Sequence, residues 1–203
     1  MIRYVASFLL HFFTESFQEP EWSTKAQTIL KFARQLTSIL ATTVESPVIA
    51  LRLFLLGAQV ADDCGFEDLA YDLYVQAFTV YEDSISESRA QLQAMTLVIG
   101  TLANARVFGS DNFDTLITKA ALHGARLLKK SHQATAVGLA SHLWWQEGRA
   151  EESEKEEPKE NGDKEKTTQV TKEKEDADAV KAVGIFALQL FIVLMSVLVP
   201  LSR

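Results

Sequence analysis

The sequence predicts an all-α fold built from consecutive antiparallel helices. From Glu21 to about Trp145, apolar residues recur three and four positions apart, which is the period of a helix with one buried face. The connections between these segments are short, and no segment shows the two-residue alternation of a strand. Six helices of this kind pack either as a solenoid of stacked hairpins or as a closed bundle.

The first two helices are separated by a helix-start signal. Ser46-Pro47 places an N-cap residue before a proline, which suits the first helical position because the N–H it lacks would have no partner there. Gly65 is predicted to end the second helix. The predicted buried stripes are Ile29, Phe32, Ala33, Leu36, Ile39 and Leu40 in the first helix, and Val48, Leu51, Leu55 and Ala58 in the second.

A short acidic turn follows the third helix. Ser84 and Glu87 have the spacing of a capping box, in which each side chain accepts a hydrogen bond from a backbone N–H near the helix start. This spacing predicts that Ser84 opens the fourth helix. The predicted stripes are Ala70, Leu73, Tyr74, Ala77, Phe78 and Tyr81 in the third helix, and Leu92, Met95, Ile99 and Leu102 in the fourth.

The last two helices are separated from the fourth by Gly109-Ser110-Asp111-Asn112. Lys129 and Lys130 are predicted to close the fifth helix, where cations interact favourably with the helix dipole. Gly148 is predicted to end the sixth. Their stripes are Phe113, Leu116, Ile117, Ala120, Ala121, Gly124, Leu127 and Leu128, and then Ala136, Val137, Ala140, Leu143 and Trp144.

No repeat period settles the type of hairpin. Tyr71 to Tyr81 resembles one tetratricopeptide helix, but nothing similar returns about 34 residues later. Degenerate HEAT-like pairs remain compatible with the spacing.

Charge is concentrated in one segment. Residues 151–178 hold 12 acidic and 6 basic side chains, a net charge of −6 out of −7 for the chain. Val170 and Ala177 are too few apolar residues to offset the entropy of ordering, so we expect a disordered charged linker at 150–178. The nearly neutral remainder lacks the clustered Lys and Arg that nucleic-acid binding requires, and this argues against that function.

The two ends of the chain carry apolar segments. Ala182 to Val199 has no charged residue over 18 positions, which meets the length criterion for a membrane span, so it is either a tail anchor or a core helix. Met1 to Leu10 carries only Arg3 and lacks an Ala-x-Ala cleavage site, which favours a buried helix over a signal peptide. We divide the chain into a helical unit at 1–149, the linker and an apolar C-terminal helix at 179–203.

Residues for enzymatic chemistry are sparse. Three histidines, His123, His132 and His142, lack the His-Glu-x-x-His spacing of a metal site and have no cysteine partner. The single cysteine, Cys64, rules out an intramolecular disulfide and fits a reducing, cytosol-facing compartment. Asp62 and Asp63 beside it are expected to raise its pKa and oppose thiolate formation. We therefore predict no enzyme activity, no cofactor and no metal.

Five segments, spread over roughly residues 22 to 149, resemble the C-terminal half of a known solenoid family. They are Leu51-Arg52-Leu53-Phe54-Leu55-Leu56-Gly57-Ala58, Ala77-Phe78-Thr79-Val80-Tyr81-Glu82-Asp83, Leu97-Val98-Ile99-Gly100-Thr101, Leu127-Leu128-Lys129-Lys130 and His142-Leu143-Trp144-Trp145. In these residues the chain resembles the large subunit of retromer, the vacuolar protein sorting-associated protein 35 family. The resemblance implies an α-solenoid of degenerate HEAT-like hairpins that acts as a non-catalytic scaffold in retrograde transport from endosomes, cytoplasmic and peripheral on the endosomal membrane.

The resemblance also implies two protein contacts. A metallophosphoesterase-fold retromer subunit would bind the last helix through His142 and Trp145, whereas Trp144 lies on the apolar stripe and is expected in the core. Two copies would pair as a homodimer through an acidic turn and a basic helix end. Ser84 stands where the family often has an acidic residue, which removes one complementary charge. The matching positions are Glu82, Asp83 and Glu87 in the acidic turn, and Arg126, Lys129 and Lys130 in the basic helix end.

Some segments depart from the family pattern. Arg52-Leu53-Phe54-Leu55 imitates the Pro-Arg-Leu-Tyr-Leu motif that binds the arrestin-like subunit, but it aligns with a different helix, so that activity is not carried over. Ala179-Val180-Lys181-Ala182-Val183 and Leu188-Gln189-Leu190-Phe191-Ile192 resemble pieces of later solenoid helices. This favours a truncated core helix at the C-terminus over the alternative, a tail-anchored helical membrane protein.

Overall fold

The computed structural model describes residues 22–43 and 46–145, and in this part of the chain it shows six α-helices and no strand. The predicted all-α class is confirmed. The helices are α1 (Trp22–Thr43), α2 (Pro47–Asp63), α3 (Glu67–Ser84), α4 (Ser88–Asn104), α5 (Ser110–Ala125) and α6 (Lys130–Ser141), and a 3₁₀ turn (His142–Trp144) follows α6.

The helices stack in two layers. The principal contacts of each helix are with helices one or two places away in sequence. Helix α4 packs between α2 and α6 in one layer, while α1 contacts α3 in the other, and side chains of α3 contact α5. Successive hairpins therefore pile on one another as in a solenoid, rather than closing into a bundle.

Helix α2 is buried over most of its surface because α1, α3 and α4 all pack against it. It begins with Ser46 as N-cap and Pro47 at the first turn, as predicted, although the Ser46 hydroxyl makes no capping hydrogen bond. It ends at Asp63, and Gly65 two positions later has a φ of +75°, the left-handed conformation that closes a Schellman motif. In that motif Phe66 N donates to Ala61 O at 2.9 Å, and Gly65 N donates to Asp62 O at 3.0 Å.

The predicted stripe of α1 is partly wrong. Phe32 and Ile39 are 59% and 60% exposed, because α1 packs only along the face that meets α2 and α3. The side chains that are buried there follow one another at three and four positions, and include a threonine whose hydroxyl donates to the Ala33 carbonyl. They are Ala26, Leu30, Ala33, Thr37 and Leu40.

The stripe of α3 is confirmed at every position, but the predicted capping box after it is wrong. Ser84 is the last residue of α3, and Glu87 is the N-cap of α4 without a capping side-chain bond. Between them, Ile85 is extended and buried in the core. The Ile85 carbonyl accepts a hydrogen bond of 3.0 Å from the Gln91 side chain, which takes the place of a capping box in fixing the start of α4.

The connection after α5 has the same arrangement of a buried apolar residue whose carbonyl accepts a glutamine hydrogen bond. Leu127 is buried in the connection, and its carbonyl accepts a hydrogen bond of 2.7 Å from the Gln133 side chain in α6. Gln91 and Gln133 are about 42 residues apart, which is within the period of HEAT-like hairpins. The structure thus contains a repeat that a search at the tetratricopeptide period of about 34 residues does not find.

The boundaries around α6 also differ from the prediction. Leu128 is 82% exposed and Trp144 is 53% exposed, because α5 ends at Ala125 and α6 ends at Ser141. Val137 also lies outside the core, whereas Leu143 is buried in the 3₁₀ turn. The predicted helix end at Gly148 lies outside the described residues.

Two carboxylates tie the α4–α5 connection to the preceding hairpin. Asp62 accepts hydrogen bonds of 2.8 Å from the backbone N–H groups of Arg106 and Val107. Glu67 accepts from Gly109 N at 2.9 Å and from the Asn112 side chain at 2.8 Å. These bonds fix the start of α5 beside the start of α3.

Three sequence-based expectations concern residues that the structure does not describe. They are the apolar opening at 1–10, the linker at 150–178 and the C-terminal helix at 179–203. Within residues 22–43 and 46–145, no helix combines the length and apolar character that crossing a bilayer requires.

Candidate interaction surface

Two helix junctions lie side by side at one edge of the solenoid. Glu82 Oε1 at the end of α3 lies 3.0 Å from His123 Nε2 at the end of α5. Ser88 Oγ at the start of α4 lies 3.2 Å from His132 Nδ1 near the start of α6. The acidic turn, residues 82–87, therefore neighbours the basic loop, residues 126–130.

The acidic turn has three carboxylates, and they differ in whether they form ion pairs with other described residues. Glu82 also lies 3.0 Å from Lys119 Nζ, and the hydrogen bond from Lys119 is the main reason its pKa is lowered. Asp83 and Glu87 are exposed and form no ion pair with any described residue. Glu82 is thus engaged within the chain, whereas Asp83 and Glu87 face solvent.

The basic loop corrects the prediction that two lysines close a helix. Arg126 is the C-cap of α5, but Lys129 is the N-cap of α6 and Lys130 its first residue. The lysines thus stand at the positive end of a helix dipole, which is unfavourable for cations. All three basic side chains are exposed and none pairs with an acidic residue in the described part of the chain.

An aromatic cluster beneath the acidic turn was not predicted as a site. The His123 ring stacks on Phe78 at 5.7 Å and meets the edge of Tyr81 at 5.2 Å between ring centroids. Lys119 Nζ lies 5.0 Å from the Phe78 ring centre. Burial is the main cause that lowers the His123 pKa, and the Glu82 charge opposes it. Tyr81 and His123 are about 42 residues apart, as are Gln91 and Gln133. This shared separation was the sequence signal that could have located the aromatic cluster.

The last described residues expose aromatic side chains. Trp145 is 80% exposed, and His142 is also exposed. Trp144, predicted in the core, is instead half-exposed, because the chain turns from α-helix to 3₁₀ geometry at His142. Leu143 takes the buried position.

The surroundings of Cys64 favour the protonated thiol. Its pKa is raised to about 12, chiefly by burial and secondarily by the Asp63 charge, so burial outweighs the carboxylates named from the sequence. Over the ranges 22–43 and 46–145, no three His, Cys, Asp or Glu side chains cluster so as to hold a metal ion.

Comparison with known proteins decides the family. The family model for vacuolar protein sorting-associated protein 35 matches residues 2–197. This chain belongs to the vacuolar protein sorting-associated protein 35 family. The protein of that name from Schizosaccharomyces pombe is 38% identical over 133 residues, which are 66% of this chain and 16% of that protein. Vacuolar protein sorting-associated protein 35A from Arabidopsis thaliana is 46% identical over 129 residues, 64% of this chain and 16% of that protein.

The family assignment agrees with the resemblance carried by the five quoted segments. The matched stretches cover 16% of each of these two family members, and the relative from Dictyostelium discoideum is 26% identical over 130 residues. The family match includes residues 150–178 and most of the apolar segment at 182–199.

Proposed function

We propose that this chain is a non-catalytic scaffold segment of retromer, acting in protein retrieval from endosomes to the Golgi and plasma membrane. Membership of the vacuolar protein sorting-associated protein 35 family and the stacked-hairpin architecture both support this role. In this role the chain works at the cytoplasmic face of the endosome, peripheral to the membrane, and functions by holding partners in place.

Self-association is the activity that the geometry supports best, and the observation that carries it is the adjacency of the acidic turn and the basic loop. In a two-fold symmetric pair, each acidic turn meets the basic loop of the other copy, so the same contact forms twice. The exposed groups available for it are Asp83, Glu87, Arg126, Lys129 and Lys130, while Glu82 supports the turn from within.

A charge-swap experiment tests this pairing. One variant carries Asp83→Lys and Glu87→Lys, and a second carries Lys129→Glu and Lys130→Glu. Each alone places like charges opposite each other and should sediment as a monomer, whereas an equimolar mixture restores both attractive contacts and should sediment as a dimer. Glu82 stays unchanged because it bonds Lys119 and His123.

The control reverses cations elsewhere on the solenoid. Lys31→Glu with Arg52→Glu changes net charge as the second variant does, at exposed sites on α1 and α2, and should leave the dimer intact. Continued dimerisation of both single-sided variants, or failure of their mixture to associate when the unmodified chain does, would contradict the pairing.

The second proposed contact is with the metallophosphoesterase-fold subunit of retromer. His142 and Trp145 are exposed at the end of the described solenoid, and aromatic side chains that become buried are frequent anchors of protein interfaces.

Calorimetric titration of the full chain with that subunit tests the contact. His142→Arg and Trp145→Ala should each weaken binding at least about fivefold, a loss typical of an anchor residue. Phe32→Ala, which removes another exposed aromatic ring, here from α1, should leave the affinity unchanged. Wild-type affinity in both His142→Arg and Trp145→Ala would show that the contact lies elsewhere.

A further inference from the structure

The basic loop carries more positive charge than its own surroundings neutralise. Arg126, Lys129 and Lys130 are exposed within five consecutive positions, and no carboxylate of residues 22–43 or 46–145 forms an ion pair with them. Lys129 and Lys130 also stand where the backbone N–H groups of α6 point outward. The positive end of the helix dipole adds to the charge of the lysines, so an anionic group bound there would relieve unfavourable electrostatics.

The same chain supplies an anionic segment nearby in sequence. Residues 151–178 carry a net charge of −6, and they follow Trp145, the last described residue, by a few positions. Helix α6 has 12 residues and so is about 18 Å long at 1.5 Å per residue. A chain returning along it at about 3.3 Å per residue needs roughly six residues, so the carboxylates from Glu151 to Glu160 come within reach of the loop.

We propose that residues 151–178 bind the basic loop of the same chain and compete there with the acidic turn of a second copy. A segment joined to its binding site by a few residues has an effective concentration in the millimolar range, so weak contacts suffice for competition. The segment would act as a built-in brake on self-association, released by salt or by a partner that binds the linker. This inference rests on the proposed self-association, but the contact within the chain can be measured separately.

The first measurement is zero-length carbodiimide cross-linking of the full chain at low salt, read by mass spectrometry of the monomer band. We expect cross-links from Lys129 and Lys130 to carboxylates within 151–178, and their loss at high salt because exposed charge pairs are screened. Mixing isotopically light and heavy chains distinguishes bonds within a chain from bonds between chains. Absence of the cross-links from the monomer band, with cross-links of Lys129 and Lys130 found only in the dimer band, would overturn the proposal.

The second measurement is sedimentation of a variant with Glu151→Gln, Glu152→Gln and Glu154→Gln. Loss of these three carboxylates weakens the competitor and should tighten self-association at least about fivefold, the low end of measured coupling between sites. The matched control, Asp68→Asn with Asp111→Asn and Asp114→Asn, removes as many carboxylates from exposed solenoid positions and should change self-association little.

The outcomes separate the two proposals. If intrachain cross-links form but neither the chain nor the linker variant dimerises, the self-association proposal fails while the contact within the chain stands. If the chain dimerises and the linker variant does so no more tightly than the control variant, the brake is refuted and self-association stands.

Discussion

Glu82 and His123 join the ends of two alternate helices, with Glu82 Oε1 3.0 Å from His123 Nε2. The same carboxylate oxygen lies 3.0 Å from Lys119 Nζ, so one acidic side chain holds two basic partners on α5. The His123 ring is packed against Phe78 and Tyr81, which places a titratable group in an aromatic setting under the acidic turn.

The free energy of unfolding should fall on acidification, because the pKa shifts of Glu82 and His123 both reduce it at low pH. The folded-state pKa of Glu82 is lowered, so its stabilisation is complete above the ordinary value of 4.5 and is lost as pH falls below it. The folded-state pKa of His123 is lowered from 6.5, so below that pH the unfolded chain binds the proton more readily and stability also declines.

Urea unfolding between about pH 7 and 4 measures this dependence. His123→Gln should flatten the part of the curve just below pH 6.5, whereas His142→Gln, at an exposed position, should leave it unchanged. An equal slope in the His123→Gln variant and the unmodified chain would show that His123 does not contribute.

Two glycine substitutions should have opposite effects on stability. A Cβ at Gly124 would meet the Ala136 Cβ at 3.0 Å, with the backbone of α6 close behind, so Gly124→Ala forces α5 and α6 apart and should cost about 1–3 kcal/mol. A Cβ at Gly100 meets nothing within 4 Å, so Gly100→Ala within α4 should stabilise by about 0.5–1 kcal/mol. Chemical denaturation of both variants gives the comparison, and a stabilised Gly124→Ala variant would contradict the close approach.

The Gln133 side chain should contribute measurably to the start of α6. Its amide donates to Leu127 O at 2.7 Å, and leaving that carbonyl without its partner should cost about 0.5–1.5 kcal/mol in Gln133→Ala. Gln93→Ala, at an exposed position of α4, reports the effect of the Gln-to-Ala change on helix propensity alone. Equal melting temperatures for the two variants would refute the role of the hydrogen bond.

Asp62 and its neighbour Asp63 should respond differently to neutralisation. The Asp62 carboxylate accepts from two backbone N–H groups in the α4–α5 connection, so Asp62→Ala should destabilise by about 1–3 kcal/mol. Burial and the charge of Asp62 raise the pKa of Asp63, so Asp63→Asn removes an unfavourable charge and should not destabilise. Thermal unfolding at neutral pH distinguishes them, and similar losses in both variants would contradict the assignment.

Local spacing predicted the helices better than it predicted their ends. The stripe of α3 is correct at every position because α2 covers that face from the other layer, while α1 and α5 flank α3 in its own layer. The start of α4 and the end of α5 were misplaced because the connections that contain Ile85 and Leu127 draw these two residues into the core outside any helix. A capping-box spacing is a local signal, and the burial of an apolar residue within it outweighed that signal at Ser84.

The arrangement of the candidate surface could not be predicted from the sequence. The family resemblance named the acidic and basic positions, whereas the helix-dipole argument assigned Lys129 and Lys130 to the wrong helix, and neither identified the partners of Glu82. The pairing of Glu82 with Lys119 and His123 joins residues of α3 to residues of α5, and no pattern within either helix encodes that distance.

The sequence by itself determined the all-α class, the number of helices in the described part and the family, because apolar periodicity and segment identity are properties of the chain alone. The tertiary structure decided which apolar side chains are covered, leaving Phe32 and Ile39 exposed on α1 and Leu128 exposed in the basic loop. It also decided that the acidic turn lies beside the basic loop. The physical reason is that coverage and proximity depend on the neighbouring hairpin, about 42 residues away, rather than on the helix that carries the residue.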